Sequence, residues 1–337
     1  MSEIKLDGVN YYPAQYCITS VFGTCLSYYG IDLFSDLLGR YWDFQFEYFP
    51  AEDFLLGRYP NYNISPVTKP YYRILQEDFG VQFRTLNIGE DKNSLLRACQ
   101  SQLMLGSPVI ASVDPYYFPH YGNYLRYHGL LWNHYVVVYG CSEALQKIYY
   151  VDSTRAFVMG ARHEMDVEDF YKAVFQKNNI YSLEPELVVM DPPVTNQVQS
   201  GIGDWFSCDP GKERQHSSGN GVQISVGTQG LELFIEHLQI VSAIQGTERQ
   251  QQALERILNQ VVLICQHREG NAKYTEKHAH CQDLSISIIL RTWQKIKFSL
   301  SPARSKDHRQ RFCNVADYLK EIVSAEGAIM NEYARTY

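Results

Sequence analysis

The chain has 337 residues, of which 45% are hydrophobic, 20% charged and 14% aromatic, and its formal net charge is -7. This composition is typical of a globular protein and excludes a disordered chain, a collagen and a coiled coil. Because the net charge is small and lysine and arginine form no block, we expect no nucleic-acid partner.

The first residues are charged, and the longest apolar runs, such as 261–265 and 286–290, are far shorter than a membrane-spanning helix. We therefore expect no signal peptide and no membrane partner, and we predict a soluble, cytoplasmic protein. The eight cysteines follow no regular spacing, which indicates reduced thiols that mostly fill the core.

The composition changes near residue 190. Of the 26 tyrosines, 22 precede it, and so does the whole net charge, with 21 acidic and 14 basic residues before it against 16 and 16 after it. Residues 191–222 are rich in glycine, serine and proline, which is typical of a linker or mobile loop. We therefore predict a first domain over 1–190 and a mainly helical second domain over 223–337, with helices at about 229–245, 247–267, 283–298 and 305–334.

The first domain mixes two periodicities. Apolar residues recur every three or four positions from Ile18 to Tyr29, which predicts a helix with one buried face that ends at Gly30. Three apolar runs, at 107–113, 135–140 and 148–151, have the length and composition of strands. The first domain is therefore predicted to be α+β.

Cys17 lies in the first turn of the predicted helix. Unpaired backbone N–H groups and the positive end of the helix dipole favour a thiolate over a thiol at such a position. The pattern therefore indicates a nucleophile, although a cysteine in an apolar stretch is more often a core residue. Cys25, on the same helix, is expected in the core.

A catalytic thiolate needs a base, and the base needs an orienting partner. His134 precedes the second predicted strand and Asp152 follows the third. In an antiparallel hairpin centred on Glu143 the two residues would be cross-strand neighbours, so the carboxylate could fix the imidazole tautomer. His120 and His128, in the tyrosine-rich loop, are rival candidates for the base but begin no strand.

Several stretches of the first 190 residues, taken together and in order, resemble the N-terminal domain of the butirosin biosynthesis protein H family. They are 16–21, 26–35, 108–117, 133–140, 151–152 and 170–173. The resemblance implies a papain-like cysteine-protease-type fold with a helical C-terminal extension. It also implies an acyltransferase of specialised metabolism, such as antibiotic biosynthesis, that acts on a carrier-protein thioester.

By this resemblance, Cys17 would accept the acyl or peptidyl group as a thioester, His134 would shuttle protons and Asp152 would orient His134. The donor would be the phosphopantetheine thioester of an acyl or peptidyl carrier protein, and the acceptor a small-molecule amine, so that an amide bond forms. We expect no permanently bound cofactor and no metal. The helical extension makes a homodimer plausible.

The oxyanion hole departs from the pattern of papain-like peptidases. These carry a glutamine six residues before the cysteine, whereas this chain has Tyr11 there and its nearest amide is Gln15. The backbone N–H of Cys17 supplies one donor. Substrate or oxyanion contacts are also predicted for Asp114, Tyr116 and Tyr117, and Asp114 could equally cap the turn at Pro115.

Other readings of the same residues stay open. Water instead of an amine would make the protein a thioesterase, amidase or peptidase, and mere packing of the three residues would make it an inactive scaffold. A zinc site is a weaker alternative, because its candidate ligands fit no known spacing. Those ligands are Cys265, His267, His278, His280 and Cys281. The basic residues expected to dock an acidic carrier protein are Arg73, Arg84, Lys92 and Arg97, or Arg304, Lys306, Arg309 and Arg311.

Overall fold

A computed structural model describes residues 3–14, 17–42, 44–48, 62–67, 70–89, 91–120, 134–152, 162–175, 186–192, 216–217, 223–243, 247–278, 284–301 and 308–336. The chain divides into two compact units. Unit 1 comprises 1–33 and 71–198, and unit 2 comprises 34–70 and 199–337.

In the chain order of unit 1 the described helices are interspersed among the strands, whereas in unit 2 the four long described helices follow the strands. The helices are α1 (Cys17–Tyr28), α2 (Tyr71–Phe79), α3 (Lys92–Met104), α4 (Val167–Phe175), α5 (Gly227–Ala243), α6 (Thr247–His278), α7 (Leu284–Leu300) and α8 (His308–Thr336). The strands are β1 (Ile4–Lys5), β2 (Gln45–Tyr48), β3 (Tyr62–Ser65), β4 (Gln82–Thr85), β5 (Val109–Val113), β6 (His134–Ser142), β7 (Lys147–Asp152), β8 (Arg162–Asp166), β9 (Leu187–Asp191), β10 (His216–Ser217) and β11 (Gln223–Val226). The protein is therefore α+β, as the sequence predicts.

Unit 1 is built on an antiparallel sheet. Its strand order is β4-β9-β5-β6-β7-β8, and β1 also pairs with β6. Every residue of β5 and nearly every residue of β6 is buried. Helices α1 and α3 pack against β6, and α4 packs against β5. Burial on both faces explains why these strands are continuous apolar runs and do not alternate.

Helix α1 is more deeply buried than its periodicity predicts. The sequence predicts one buried face, but residues 19–26 are all buried. The polar ones are satisfied by the preceding segment: the Ser20 hydroxyl donates to the Tyr12 carbonyl oxygen at 2.6 Å, and the Tyr12 N–H donates to Thr24 Oγ1 at 3.1 Å. The helix ends as predicted at Gly30, whose φ is +79°. It is thus a rigid support for Cys17.

Unit 2 corrects the predicted domain boundary. The sequence places residues 34–70 in the first domain, but β2 pairs with β11 and β3 pairs with β2 in the antiparallel sheet β10-β11-β2-β3. Phe44 and Phe46 are buried, and both rings lie 6.2 Å from that of Phe234 on α5. Composition does not reveal such long-range pairing. The prediction of a mainly helical second part fits α5 to α8, to which the structure adds this sheet.

The segment 191–222, predicted as a linker or mobile loop, falls mostly outside the described residues. Its described parts are Asp191, which ends β9, Pro192, and the residues of β10, which pair with β11. Among the described helices, none has the length and apolar character needed to cross a membrane.

Helix α6 corrects a second prediction. The sequence places a helix end at residues 269–271, but α6 continues to His278. Gly270 lies against another backbone, because a Cβ built on Gly39 would come within 2.5 Å of the Gly270 carbonyl oxygen. The Asn271 amide donates to the carbonyl oxygens of Gly39 and Tyr41, both at 2.7 Å. These residues therefore serve close packing and do not stop the helix.

Candidate active site

Cys17 is the first residue of α1 and is partly exposed. Its sulfur accepts hydrogen bonds from the backbone of Ile18, at the helix N-terminus, and of Tyr135 on β6. Both lower the pKa of the thiol, as expected where unpaired backbone donors meet a developing negative charge. The helix and the sheet thus meet at the sulfur.

His134 and Asp152 lie at the same end of two adjacent strands, as the sequence predicts. His134 is the first residue of β6 and Asp152 the last residue of β7. The predicted register is wrong, since Asp152 pairs with Val136 and not with His134. The two residues are diagonal neighbours on one face, and this separation is within reach of their side chains.

A β-bulge at Tyr139 puts both side chains on that face. Relative to β7, β6 carries this one extra residue. Without it, the pairing nearer the turn would continue and place Asp152 opposite Val137. Because side chains alternate along a strand, Asp152 would then point away from His134. The bulge therefore re-aims the carboxylate, a common use of bulges next to active sites.

The three side chains form a connected chain of hydrogen bonds. His134 Nε2 lies 2.7 Å from Asp152 Oδ1, and the other hydrogen bond of the His134 side chain joins it to Cys17. Since Nε2 is engaged by the carboxylate, Nδ1 serves the sulfur. Both His134 and Asp152 are buried, at 7% and 1% exposure. The carboxylate thus fixes the ring, and the ring faces the thiol.

The electrostatics of the trio favour a thiolate beside an imidazolium. Burial raises the pKa of the Cys17 thiol, but the hydrogen bond and charge of His134 outweigh it and hold the pKa below its ordinary value. Burial lowers the pKa of His134, but the charge of Asp152 and the bonds to Asp152 and Cys17 raise it to about 10. Burial opposes ionisation of Asp152, yet the charge of His134 and the bonds from both histidines hold its pKa far below its usual range.

A second histidine, which sequence reasoning set aside, also binds the carboxylate. His120 Nε2 lies 2.8 Å from Asp152 Oδ2. The sequence predicts His120 only as a rival base that begins no strand, and not as a partner of Asp152. The signal that could have identified it is its place between the strand 109–113 and His134, the strand's partner. The other rival, His128, lies outside the described residues.

Aromatic side chains surround His120. The Tyr150 hydroxyl lies 3.2 Å from His120 Nδ1, and the His163 ring stacks on the His120 ring with centroids 4.0 Å apart. The Phe118 ring stacks on the rings of His120 and Tyr150, with centroid distances of 5.6 Å and 5.0 Å. His120 is therefore fixed by ring contacts as well as by both of its nitrogens.

The predicted substrate contacts have separate outcomes. Asp114 caps the short helical turn Pro115–Tyr117, and its Oδ1 accepts the Tyr116 N–H at 2.9 Å. The capping alternative is thus confirmed, and a role in binding the acceptor stays a prediction. The turn that carries Tyr116 and Tyr117 begins two residues after Val113, which pairs with His134, so the turn lies at the same end of the sheet as the site. Gln15 lies outside the described residues.

Tyr11 interacts electrostatically with Asp152. Burial and the negative charge of Asp152 raise the pKa of its phenol. The hydroxyl therefore stays protonated and is able to donate a hydrogen bond. Tyr11 occupies the position where the papain pattern has glutamine, so it is a candidate for the second oxyanion donor.

The remaining candidates do not join the site. Cys25 is buried, as predicted, and burial raises the pKa of its thiol. Cys265 and His267 are buried in the middle of α6, which contradicts their predicted place at a helix end. Within the described ranges, no three histidine, cysteine, aspartate or glutamate side chains are grouped as metal ligands.

In comparisons with known proteins, no protein-family model and no curated protein matches this chain. The function is therefore argued from the geometry and charge of the site.

Proposed function

We propose that this protein is a cysteine acyltransferase that moves an acyl or peptidyl group from a carrier-protein phosphopantetheine thioester to an amine. The observation that carries the proposal is the hydrogen-bonded chain from Cys17 through His134 to Asp152. The order Cys, His, Asp, with the cysteine opening a helix and the other two on an antiparallel sheet, supports a papain-like fold for unit 1. The resemblance to the butirosin biosynthesis protein H family supports the choice of donor.

In the first step the Cys17 thiolate attacks the carbonyl carbon of the donor thioester. A bond from that carbon to Sγ forms, the bond to the phosphopantetheine sulfur breaks, and the leaving thiolate takes a proton from the His134 imidazolium. The raised pKa of His134 keeps that proton available at neutral pH. The products are an acyl-Cys17 thioester and free phosphopantetheine thiol on the carrier.

In the second step an amine attacks the acyl-Cys17 carbonyl. Neutral His134 accepts the amine proton, the carbon–sulfur bond to Cys17 breaks, and the thiolate–imidazolium pair returns. Asp152 stabilises the imidazolium in both steps without itself taking up a proton. The backbone N–H of Cys17, with Tyr11 as the second donor, would stabilise the oxyanion. No ATP is needed, because a thioester is already activated toward amines.

The test is intact-mass spectrometry after mixing the protein with an acyl-pantetheine thioester. The wild type should gain the mass of one acyl group, and Cys17→Ala should gain none. Cys313→Ser is the matched control, because Cys313 is exposed and lies outside the site. Adding small amines should then remove the adduct and yield an amide.

The outcomes separate the competing functions. Acylation of Cys17 followed by release of free acid, with no dependence on the amine, would replace transfer by hydrolysis. A wild type that gains no mass from chemically different acyl donors would contradict the proposal and favour the inactive scaffold.

The structure narrows the choice of basic residues for carrier docking. Arg84 binds Asp191 at 2.7 Å, and Lys92 binds Glu168 at 3.1 Å, so acidic neighbours offset both charges. In the alternative cluster, Arg311 is buried and donates to the carbonyl oxygens of Ser299 and Leu300. The rest of that cluster lies outside the described side chains. Among the described residues, Arg73 and Arg97 form no ion pair with a carboxylate, although the charges of Glu77 and Asp91 act on them. Charge reversal at these two is therefore the first test, and it should weaken acylation by a loaded carrier protein but not by free acyl-pantetheine.

A further inference from the structure

The carboxylate of Asp152 is bound on both of its oxygens. Oδ1 faces His134 Nε2 at 2.7 Å, and Oδ2 faces His120 Nε2 at 2.8 Å. Asp152 is 1% exposed, so water does not compete for either oxygen. Because an ionised carboxylate only accepts hydrogen bonds, each histidine must donate an N–H to it.

A buried charge with one unsatisfied oxygen would be costly, and the side chain would be free to turn about its last torsion. The bond from His120 removes both problems, because it occupies Oδ2 and fixes the carboxylate plane. The position of Oδ1, and with it the ring of His134, then follows. His120 itself is fixed through Nδ1 by the Tyr150 hydroxyl at 3.2 Å and by the stacked ring of His163.

We propose that His120 is a positioning residue of the catalytic site: it holds Asp152 as an ionised, fixed acceptor, so that His134 remains an imidazolium beside the Cys17 thiolate. The unit that prepares the nucleophile is then a chain of five side chains, running Tyr150, His120, Asp152, His134 and Cys17. The inference rests on the proposed function only for its catalytic meaning, because the state of the thiol can be measured without a substrate.

Several titratable groups of the described residues face this chain from the elements packed around it, and they bear on its pH dependence. Around Asp152 they are Tyr11, His120, His134, Tyr150 and His163, and around Cys17 they are His134 and Tyr135. Burial and the charge of Asp152 raise the pKa of Tyr150. Burial and the charge of His120 lower the pKa of His163.

The test is the pH dependence of Cys17 alkylation by iodoacetamide, read by peptide mass spectrometry. His120→Phe keeps a stacking ring but removes both nitrogens, whereas His120→Gln keeps an N–H near the position of Nε2. We expect His120→Phe to move the alkylation midpoint up by about one pH unit, because a carboxylate that is no longer fixed stabilises the His134 imidazolium less, and the imidazolium in turn stabilises the thiolate. His120→Gln should restore at least half of the shift.

The matched control is His163→Phe, which preserves the ring stack and changes no hydrogen bond to Asp152. Its alkylation midpoint should equal that of the wild type. Should His120→Phe fail to fold, Tyr150→Phe provides the second variant, because it removes only the hydroxyl at Nδ1; it should shift the midpoint in the same direction by a smaller amount.

An unchanged midpoint in folded His120→Phe, or in Tyr150→Phe where the first variant does not fold, would overturn the inference. Equal shifts in His120→Phe and His163→Phe would also overturn it, since they would show a packing effect. Acylation of Cys17 by acyl-pantetheine, measured on the same samples, tests the proposed function separately. A midpoint that depends on His120 in a protein that accepts no acyl group would retain this inference and reject the acyltransferase.

Discussion

In unit 1, Cys17 and His134 lie beside the buried carboxylate of Asp152, whereas in unit 2 Cys265 and His267 lie in the middle of α6. Both histidines are buried. The pKa of His134 is raised to about 10 by Asp152 and Cys17, but burial and then the charge of Arg268 lower the pKa of His267 to about 3. The thiols differ in the same way, since burial raises the pKa of Cys265 to about 12 while that of Cys17 falls below its ordinary value.

The comparison shows that burial alone does not create a reactive pair. Burial disfavours the charged form of every one of these groups. In unit 1 Asp152 reverses that effect for His134, and His134 together with the backbone of Tyr135 and Ile18 reverses it for Cys17. In unit 2 the charge of Arg268 adds to the effect of burial on His267, and the charges of Lys297 and Arg268 offset only part of it on Cys265. The same two residue types therefore give a thiolate–imidazolium pair in one place and neutral core residues in the other.

The largest expected effect comes from removing the sulfur of unit 1. Cys17→Ala should lower acyl transfer by at least about a thousandfold, because no nucleophile remains. Cys265→Ala is the matched variant in unit 2 and should leave the activity per folded molecule unchanged. Steady-state transfer rates, with circular dichroism to confirm folding, measure both. Comparable losses of transfer activity in the two variants would show that Cys17 and Cys265 do not differ in their roles.

The next effect comes from neutralising the carboxylate. Asp152→Asn replaces an ionised acceptor by an amide, so the pKa of His134 should fall and that of Cys17 should rise. Transfer should drop on the order of a thousandfold to ten-thousandfold, as in other sites where the orienting acid is changed to its amide. Rate–pH profiles of both proteins test this. Activity within about tenfold of the wild type would mean that Asp152 does not organise the site.

In unit 2 the neutral histidine should make the protein sensitive to acid. Its folded pKa of about 3 lies below the ordinary 6.5, so the unfolded state binds the proton first as the pH falls. Stability is therefore fully present above pH 6.5 and is lost as the pH drops toward 3, at up to about 1.4 kcal/mol per pH unit. Between pH 7 and 5 the wild type should lose about 2 kcal/mol more than His267→Phe in urea unfolding. Equal losses of unfolding free energy in the wild type and in His267→Phe would show that folding does not lower the pKa of His267.

A smaller effect, on the pH dependence of stability, should show that Cys17 and His134 titrate as a coupled pair. The ordinary pKa values are 6.5 for His134 and 9.0 for Cys17. For a thiolate–imidazolium pair, one proton is bound between these two pH values in both states, on His134 when folded and on Cys17 when unfolded, so such a pair adds no pH dependence to stability. In Cys17→Ala only the folded state holds a proton, and stability is lost as the pH rises from 6.5 through the pKa of His134, which Asp152 still raises although the contribution of Cys17 is gone.

The free energy of unfolding of Cys17→Ala should therefore fall by about 1 kcal/mol more than that of the wild type between pH 7 and 8.5. Cys265→Ala is the control and should follow the wild type, because its thiol is protonated in both states over this range. Urea unfolding at the two pH values provides the measurement. Identical pH slopes in all three proteins would contradict an ionised pair.

The sequence predicts the parts of the site that depend on local pattern. Helix α1 has a clear periodicity, strands β5, β6 and β7 are short apolar runs, and Cys17, His134 and Asp152 lie where these elements begin or end. The strand register could not be predicted, because the bulge at Tyr139 leaves no local signal. The prediction of a His–Asp contact nevertheless holds, since a shift of two residues keeps both side chains on one face.

The rest depends on contacts between residues far apart in the chain. Strand β2 joins unit 2 by pairing with β11, almost two hundred residues along the chain, and β3 joins it by pairing with β2. Gly270 continues a helix because it packs against Gly39. His120 follows the same rule, since its partner Asp152 is 32 residues away and its place between the strand 109–113 and His134 is shared with His128. Composition and periodicity do not contain this information.

Activation of the Cys17 thiol by its neighbours can be tested by letting the eight cysteines of the native protein compete for a limiting amount of iodoacetamide at pH 6.5. Peptide mass spectrometry then measures how much label each cysteine carries. We predict that Cys17 is labelled at least about tenfold faster than the exposed Cys313, and that the buried Cys265 is labelled more slowly than Cys313. Labelling of Cys17 no faster than Cys313 would show that the carboxylate and the two histidines do not activate the thiol, and would contradict the account.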